Sequence, residues 1–241
     1  MSRKTFLHIL ALFGALWLGA VPLFAQTPAP QKGAMGATTV LIIGANGSVA
    51  KEAIAMFLQK TDVNLKLFLR NAKRLEHLKS PRVEVVEGDA TDKVALTNAM
   101  GGVNVVYANL YGKNTPQMAS AIIESMQAVG LRRLVWITSF GVYNGQYQEI
   151  PDSELARIAS YIAPHREEVR IIEASNLAYT IIRAQWFSHA DEIDYELTQK
   201  GEPFKNPSAR ISRKSIADLI VRLCTTQDFG IRQSLGINKP L

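Results

Sequence analysis

The sequence predicts an α/β chain built on a doubly wound parallel sheet with a small C-terminal lobe. One observation is the continuous apolar run "TTVLIIGA", of the kind that a strand buried on both faces carries. Another is the glycine-bearing turn "GANGSVA" that leads from it into the helix-like "SVAKEAIAMFLQK". The third is that this strand-then-helix alternation continues along the chain, which argues for a parallel sheet covered on both sides. With 241 residues, 47% hydrophobic and 20% charged, the chain can bury one full-sized core and lies outside the disordered classes.

The elements follow in order. After the first strand, Ala50, Ile54, Phe57 and Leu58 mark one face of the first helix. "NLKLFLR" reads as a second strand, "AKRLEHLKS" as a helix, "RVEVVEGD" as a third strand and "DKVALTNAM" as a helix. "GVNVVYANL" supplies a fourth strand. The helix "PQMASAIIESMQAVG" has the clearest period, with Met118, Ala121, Ile122, Ser125, Met126 and Val129 on one stripe. "RLVWITSF" is the fifth strand. A helix around "HREEVRIIEAS" begins near Pro164, a residue suited to a first helical turn, which leaves Tyr161 outside it. The strand "AYTIIRA" and helical stretches at "DEIDYELTQK" and "RKSIADLIVRLC" complete the pattern.

Upstream, Arg3 and Lys4, the apolar stretch Thr5 to Phe24 and the Ala25–Gln26 junction predict an export signal over residues 1–25, followed by a Pro/Gly/Ala-rich linker over 26–37. "SRKTFLH" resembles a twin-arginine signal with Lys4 in place of the second arginine, and it equally fits an ordinary Sec signal. An apolar run of about 20 residues is also long enough for an uncleaved membrane anchor, although Gly14, Gly19, Pro22 and His8 weaken that reading. The expected location is exported, in the periplasm, with membrane contact only through this segment. Cleavage removes Arg3 and Lys4 and no acid, taking the formal charge from +6 to +4. That mild charge, without a basic run interleaved with aromatics, speaks against a nucleic-acid partner. The single cysteine, Cys224, falls in an apolar helical stretch and reads as a core residue; it allows no internal disulfide.

The turn after the first strand carries the chemistry. Gly44 lets the chain turn sharply, Gly47 lets backbone approach a pyrophosphate, and Ala50 lets the helix pack close to the sheet. Asn46, Ser48 and Val49 complete a cradle at the helix N-terminus, whose unpaired N–H groups and dipole favour phosphate. The Gly-x-x-Gly-x-x-Ala spacing lacks the Lys-Ser/Thr of a P-loop.

Together, "VLIIGANGSVA", "FLRNAKRL", "VEVVEGDATD", "VVYANL", "LVWITSFGVY", "YTIIRAQWF" and "RKSIADLI" resemble the atypical short-chain dehydrogenase/reductases, in particular the NmrA-like NAD(P)-binding branch, over residues 38–241. The resemblance implies a Rossmann domain with a substrate lobe over about residues 185–241. Where NAD-preferring members carry a ribose-binding acid, this sequence has Arg70, followed by Asn71, Lys73 and Arg74. Arg70 and Lys73 suit a 2′-phosphate and point to NADP rather than NAD; Lys73 and Arg74 fit a solvated helix face equally well. The family places an acid near the adenine at Asp89, with Ala90 beside it, and the nicotinamide ribose near Asn109 and Leu110; capping of the following helices is the alternative for Asp89 and Asn109.

The wider superfamily uses a serine, a tyrosine and a lysine four residues after the tyrosine. The resemblance assigns the catalytic positions to Ser139, Tyr161 and His165, with histidine standing where the lysine is expected. Neutral imidazole lacks the fixed charge that depresses a tyrosine pKa. Tyr143 is a rival acid, and Arg183 either contacts substrate or braces a helix end. His189, Asp191, Glu192 and Asp194 read as a solvated acidic helix face rather than metal ligands. The sequence thus points to an NADPH-dependent reductase acting on a small carbonyl-like molecule, with a non-catalytic NAD(P)-binding sensor or assembly module as the alternative. An epimerase of the same fold usually needs a larger C-terminal lobe and the full Tyr/Lys pair.

Overall fold

The computed structural model describes residues 38–241; the expected signal over 1–25 and linker over 26–37 lie outside the described residues. Strands β1 (Thr39–Ile43), β2 (Asn64–Leu69), β3 (Val83–Glu87), β4 (Val105–Ala108), β5 (Arg133–Ser139), β6 (Ala178–Ala184) and β10 (Gln233–Asn238) run parallel, and the short β8 (Glu196–Thr198) closes one edge antiparallel to β10. The spatial order is β3-β2-β1-β4-β5-β6-β10-β8. Strand β1 pairs with β2 on one side and β4 on the other, with Ile43 opposite both Phe68 and Ala108. The chain direction of the winding reverses there, so a crevice opens beyond the carboxyl ends of β1 and β4.

Alternation along β1 explains its uniform hydrophobicity. Val40 and Ile42 enter the core under α1 (Ser48–Lys60) and α5 (Arg213–Thr225), whereas Leu41 and Ile43 enter the core under α2 (Lys93–Ala99), α3 (Thr115–Ala128) and α4 (Asp152–Ala174). Phe57 and Ile54 of α1 meet this first core with Ile216, Leu219 and Ile220 of α5, each fully buried or nearly so and worth about 1.5–3 kcal/mol of transfer free energy. Cys224 is buried in the same core, as its apolar surroundings in the sequence suggested.

Three local expectations are corrected. The helix near Pro164 is one long helix, α4, with Pro164 in its interior and Tyr161 inside it. Ile158, Ile162, His165, Val169 and Ile172 make a buried stripe at helical spacing, and packing of that stripe carries the helix through the missing proline N–H. Residues 72–78 form two short 3-10 turns, Ala72–Arg74 and Glu76–Leu78, because Leu75 is the only buried side chain there and cannot anchor a full helix. The stretch "DEIDYELTQK" is not helical, and its residues 196–198 form a strand: Tyr195 and Leu197, two apart, both pack on the core, and β8 pairs with β10 while the Asn238 side chain donates to Glu196 O and Thr198 Oγ1. Strands β7 (Trp186–Ser188) and β9 (Arg210–Ser212) form a separate two-stranded sheet, while α5 and β10 belong to the main sheet.

Candidate functional site

The crevice is a groove in two halves that share Gly47, Asn109, Leu110 and Tyr111. Its outer half, about 420 Å³, is lined by the turn residues Gly44, Asn46 and Gly47 and by Arg70, Asn71, Arg74, Asp89 and Ala90. The inner half, about 480 Å³, is lined by Ser48, Val49, Ser139, Tyr161 and His165 among a largely apolar wall that includes Phe140, Trp186 and Phe187. The structure therefore brings together the predicted residues with the exception of Lys73, which lies outside the groove walls; Asn71 and Arg74 stand there instead.

At the junction, Gly44 has φ +80°, and a Cβ on it would lie 2.2 Å from the Asn109 carbonyl oxygen. A Cβ on Gly47 would lie 2.0 Å from Asn109 Nδ2. The close approach is fixed by Asn109, whose side chain donates to Gly44 O at 3.4 Å and accepts from Tyr107 Oη at 3.1 Å. Asn109 is thus a brace of the turn and does not cap α3, at whose start Asn114 makes no side-chain cap bond either. No side chain caps α1 at Gly47, so its first-turn N–H groups remain for an anion. Arg213, which sequence reasoning passed over, reaches from α5 to donate to Ser48 Oγ at 3.0 Å and to Ser188 O at 2.8 Å. Only the fold reveals this tie, since 165 residues separate the partners. A glycine cradle, an uncapped helix start and flanking guanidinium groups fit a dinucleotide whose pyrophosphate lies at the turn.

Outward, Asp89 accepts from the Thr91 N–H at 2.9 Å and hydroxyl at 2.7 Å. Those bonds, with a smaller contribution from the Arg70 charge, hold its carboxyl below the usual carboxylate range. Capping of α2 is done by Asp92, so Asp89 is left to the groove. Arg70 is exposed at the end of β2 with its charge open to a ligand.

Inward, Ser139 Oγ donates to Phe140 O at 3.1 Å at the end of β5. Tyr161 meets His165 and Trp186 edge-on, at 6.5 and 6.0 Å between ring centres. Its hydroxyl is buried without a partner, and burial, with Tyr111 and Glu154 nearby, pushes it up to about 12 despite Arg157. His165 is only 3% exposed and its Nδ1 lies 3.0 Å from Glu168 Oε1, an atom that also accepts from Trp136 Nε1 at 3.1 Å and Thr138 Oγ1 at 2.6 Å. Glu168 was not singled out in the sequence; its signal is its position three residues after His165, on the same helical face.

Two sequence candidates leave the site. Tyr143 does not line the groove: its hydroxyl donates to Glu173 Oε1 at 2.7 Å and burial raises its pKa strongly. Arg183 is fully buried between the rings of Tyr143 and Phe204, donating to Glu149 Oε1 at 2.6 Å, Gln199 O and Ser234 O. It clamps the structure behind the site. Of the acidic stretch, Asp191 pairs with Lys214, and Glu192 and Asp194 with Lys239. Among the described residues no group of three or more His, Cys, Asp or Glu could hold a metal.

A family model described as NAD(P)H-binding matches residues 44–227. The chain is 33% identical to a Rossmann-fold NAD(P)-binding family protein from Shigella flexneri, over 85% of this chain and 95% of that one, with a TM-score of 0.71. It is 25% identical to a short-chain dehydrogenase/reductase from Veillonella parvula DSM 2008 solved in complex with NADP, over 84% and 95% of the two chains, with a TM-score of 0.76. Over 149 residues it is 24% identical to an NAD(P)H azoreductase of Xenophilus azovorans, covering 61% of this chain and 48% of that protein. The chain spans about half the length of that curated relative. The sequence resemblance to the NmrA-like branch agrees with these likenesses.

Proposed function

The chain belongs to the NAD(P)H-binding family, and on that premise we propose that it is an NADPH-dependent reductase of a small, largely apolar carbonyl-like substrate. The observation that carries this reading is the continuity of the groove, from the glycine turn to a wall holding Ser139, Tyr161 and His165. In this arrangement Gly44, Gly47 and the start of α1 hold the pyrophosphate, and Arg70 with Arg74 face the 2′-phosphate. When bound, the nicotinamide supplies a hydride. Ser139 offers a hydroxyl to the substrate oxygen, while Phe140, Trp186 and Phe187 exclude water around it. The azoreductase relative lends support from the side of activity, and the NADP complex of the structural neighbour from the side of cofactor.

The test is to release nucleotide from the purified protein by denaturation, identify it by mass, and follow NADPH oxidation with a panel of carbonyl compounds. Bound NADP(H) together with turnover supports the reading. Tight binding with no turnover of any carbonyl supports the second reading, an NAD(P)-binding module whose signal is occupancy. That alternative is favoured by one observation, the absence of a lysine at position 165 beside Tyr161.

A further inference from the structure

We propose that His165 is the proton donor of this site and Glu168 its positioning residue, an inference that rests on the reductase reading and replaces the tyrosine of the wider superfamily in that role. The geometry around Glu168 Oε1 fixes the ring. An indole N–H can only donate, and Trp136 Nε1 points at Oε1, so that oxygen is an acceptor. The His165 nitrogen facing the same atom, Nδ1, therefore carries its hydrogen. Nε2 is the ring's other polar atom. It has no protein partner, it is not among the sealed polar atoms, and the residue lines the inner half of the groove.

The groups that face the ring come from three elements. Glu168 and Tyr161 lie on its own helix, Tyr111 stacks at 5.6 Å from the loop after β4, and Thr138 on β5 shares the Glu168 oxygen. Glu168 is the carboxylate among them, fully buried, and its second oxygen has no partner. A buried carboxylate left half-satisfied is a poor stabilising device compared with an apolar side chain of its size. As the partner of the ring it has a use, since it holds Nδ1 in place and leaves Nε2 toward the groove. Tyr161 lacks any such assistance: its hydroxyl is buried, unpartnered and hard to ionise.

In the step assigned, hydride adds to the substrate carbonyl carbon and the C=O π pair moves to oxygen. The imidazolium Nε2–H gives its proton to that oxygen, and the neutral ring retains Nδ1–H toward Glu168. Solvent restores the Nε2 proton before the next turnover. The carbonyl is reduced by two electrons and NADPH is oxidised to NADP⁺.

The first test needs no turnover. Imidazole ¹⁵N NMR of the full chain, with His165→Asn to assign the signal, is expected to show neutral His165 protonated on Nδ1; protonation on Nε2 overturns the proposal. The second test uses 9,10-phenanthrenequinone and NADPH as probes. His165→Asn is expected to lose about 100-fold or more in kcat, within the usual range for a general acid, with the NADPH Kd within about twofold of wild type, whereas Tyr161→Phe loses at most about fivefold. Glu168→Gln keeps the shape and the acceptor but not the charge. It is expected to lower kcat about tenfold at unchanged KM. A Glu168→Gln protein with the wild-type kcat makes Glu168 structural only and overturns its role, and a larger loss in Tyr161→Phe than in His165→Asn overturns that of His165. If the wild type binds no NADPH, the reductase reading itself fails, and the NMR result still decides how the ring is held.

Discussion

The two halves of one groove are built in opposite ways. The outer half consists of backbone and of exposed side chains at strand ends, with Arg70 and Asn71 standing free of the core. The inner half ends in a buried cluster in which Trp136, Thr138 and His165 converge on one oxygen of Glu168. Where recognition groups are exposed, ligand affinity can change without cost to the fold. Where they are part of the core, a change that touches chemistry touches stability as well.

The strongest way to break that comparison is Glu168→Ala. The substitution leaves the Trp136 N–H, the Thr138 hydroxyl and His165 Nδ1 without their shared acceptor inside the core. Removing one member of such a buried set costs about 3–5 kcal/mol, and the midpoint of urea unfolding should fall accordingly. A loss below about 1 kcal/mol would mean that the inner half is as independent of the core as the outer.

Arg70→Ala should act the other way. A charge-assisted pair with a 2′-phosphate is worth about 1.5–3 kcal/mol, so NADPH binding weakens by about one to two orders of magnitude. NADH binding and the thermal midpoint should hardly move, because Arg70 is exposed and carries no core contact. Titration of both nucleotides by fluorescence checks this, and equal losses for the two would remove Arg70 from the 2′-phosphate site.

Gly47→Ala tests the seam between the halves. Its φ of −65° suits alanine, but the new Cβ must displace Asn109 Nδ2 and disturb the bonds from Tyr107 and to Gly44. Two neutral hydrogen bonds at about 0.5–1.5 kcal/mol each set the scale, for a stability loss of about 1–3 kcal/mol. Both nucleotides should weaken together by about tenfold, since the pyrophosphate is common to them. Discrimination between them after this change would place the turn, and not Arg70, in the selection of cofactor.

The same division explains what the sequence made legible. The glycine turn, the apolar strands and Asp89 are local patterns, with positions set by spacing along the chain, and the structure puts them together at the carboxyl edge of the sheet. Arg213 and Glu168 were not legible because their partners lie far away in sequence or on another element: Ser48 for the first, Trp136 and Thr138 for the second. Pro164 misled for a related reason. Its local preference marks a helix start, and the buried stripe from Ile158 to Ile172 outweighs it. The extended path of residues 196–198 was likewise decided by the neighbouring strand, since β10 offered an edge and Asn238 satisfied the backbone there.

Asp89→Asn gives the smallest effect and the finest test of the outer half. In the folded protein the Thr91 hydroxyl and N–H, helped by the Arg70 charge, hold the carboxyl below its ordinary value near 3.8. A carboxyl with a depressed folded value contributes stability that is fully present above its unfolded pKa and is lost as pH falls through the folded one. The wild type should therefore exceed Asp89→Asn in thermal midpoint at neutral pH, by about 1–2 °C given its partial exposure, and the two curves should converge as the pH is taken below 3.8. Asparagine still accepts from Thr91, so the difference isolates the charge and not the turn. Performed in the Arg70→Ala background, the same measurement should give a slightly smaller gap, because the arginine is the lesser of the causes and Thr91 the greater. A gap that vanished with Arg70 would make the two residues one electrostatic unit and tie Asp89 to cofactor selection as closely as Arg70 itself.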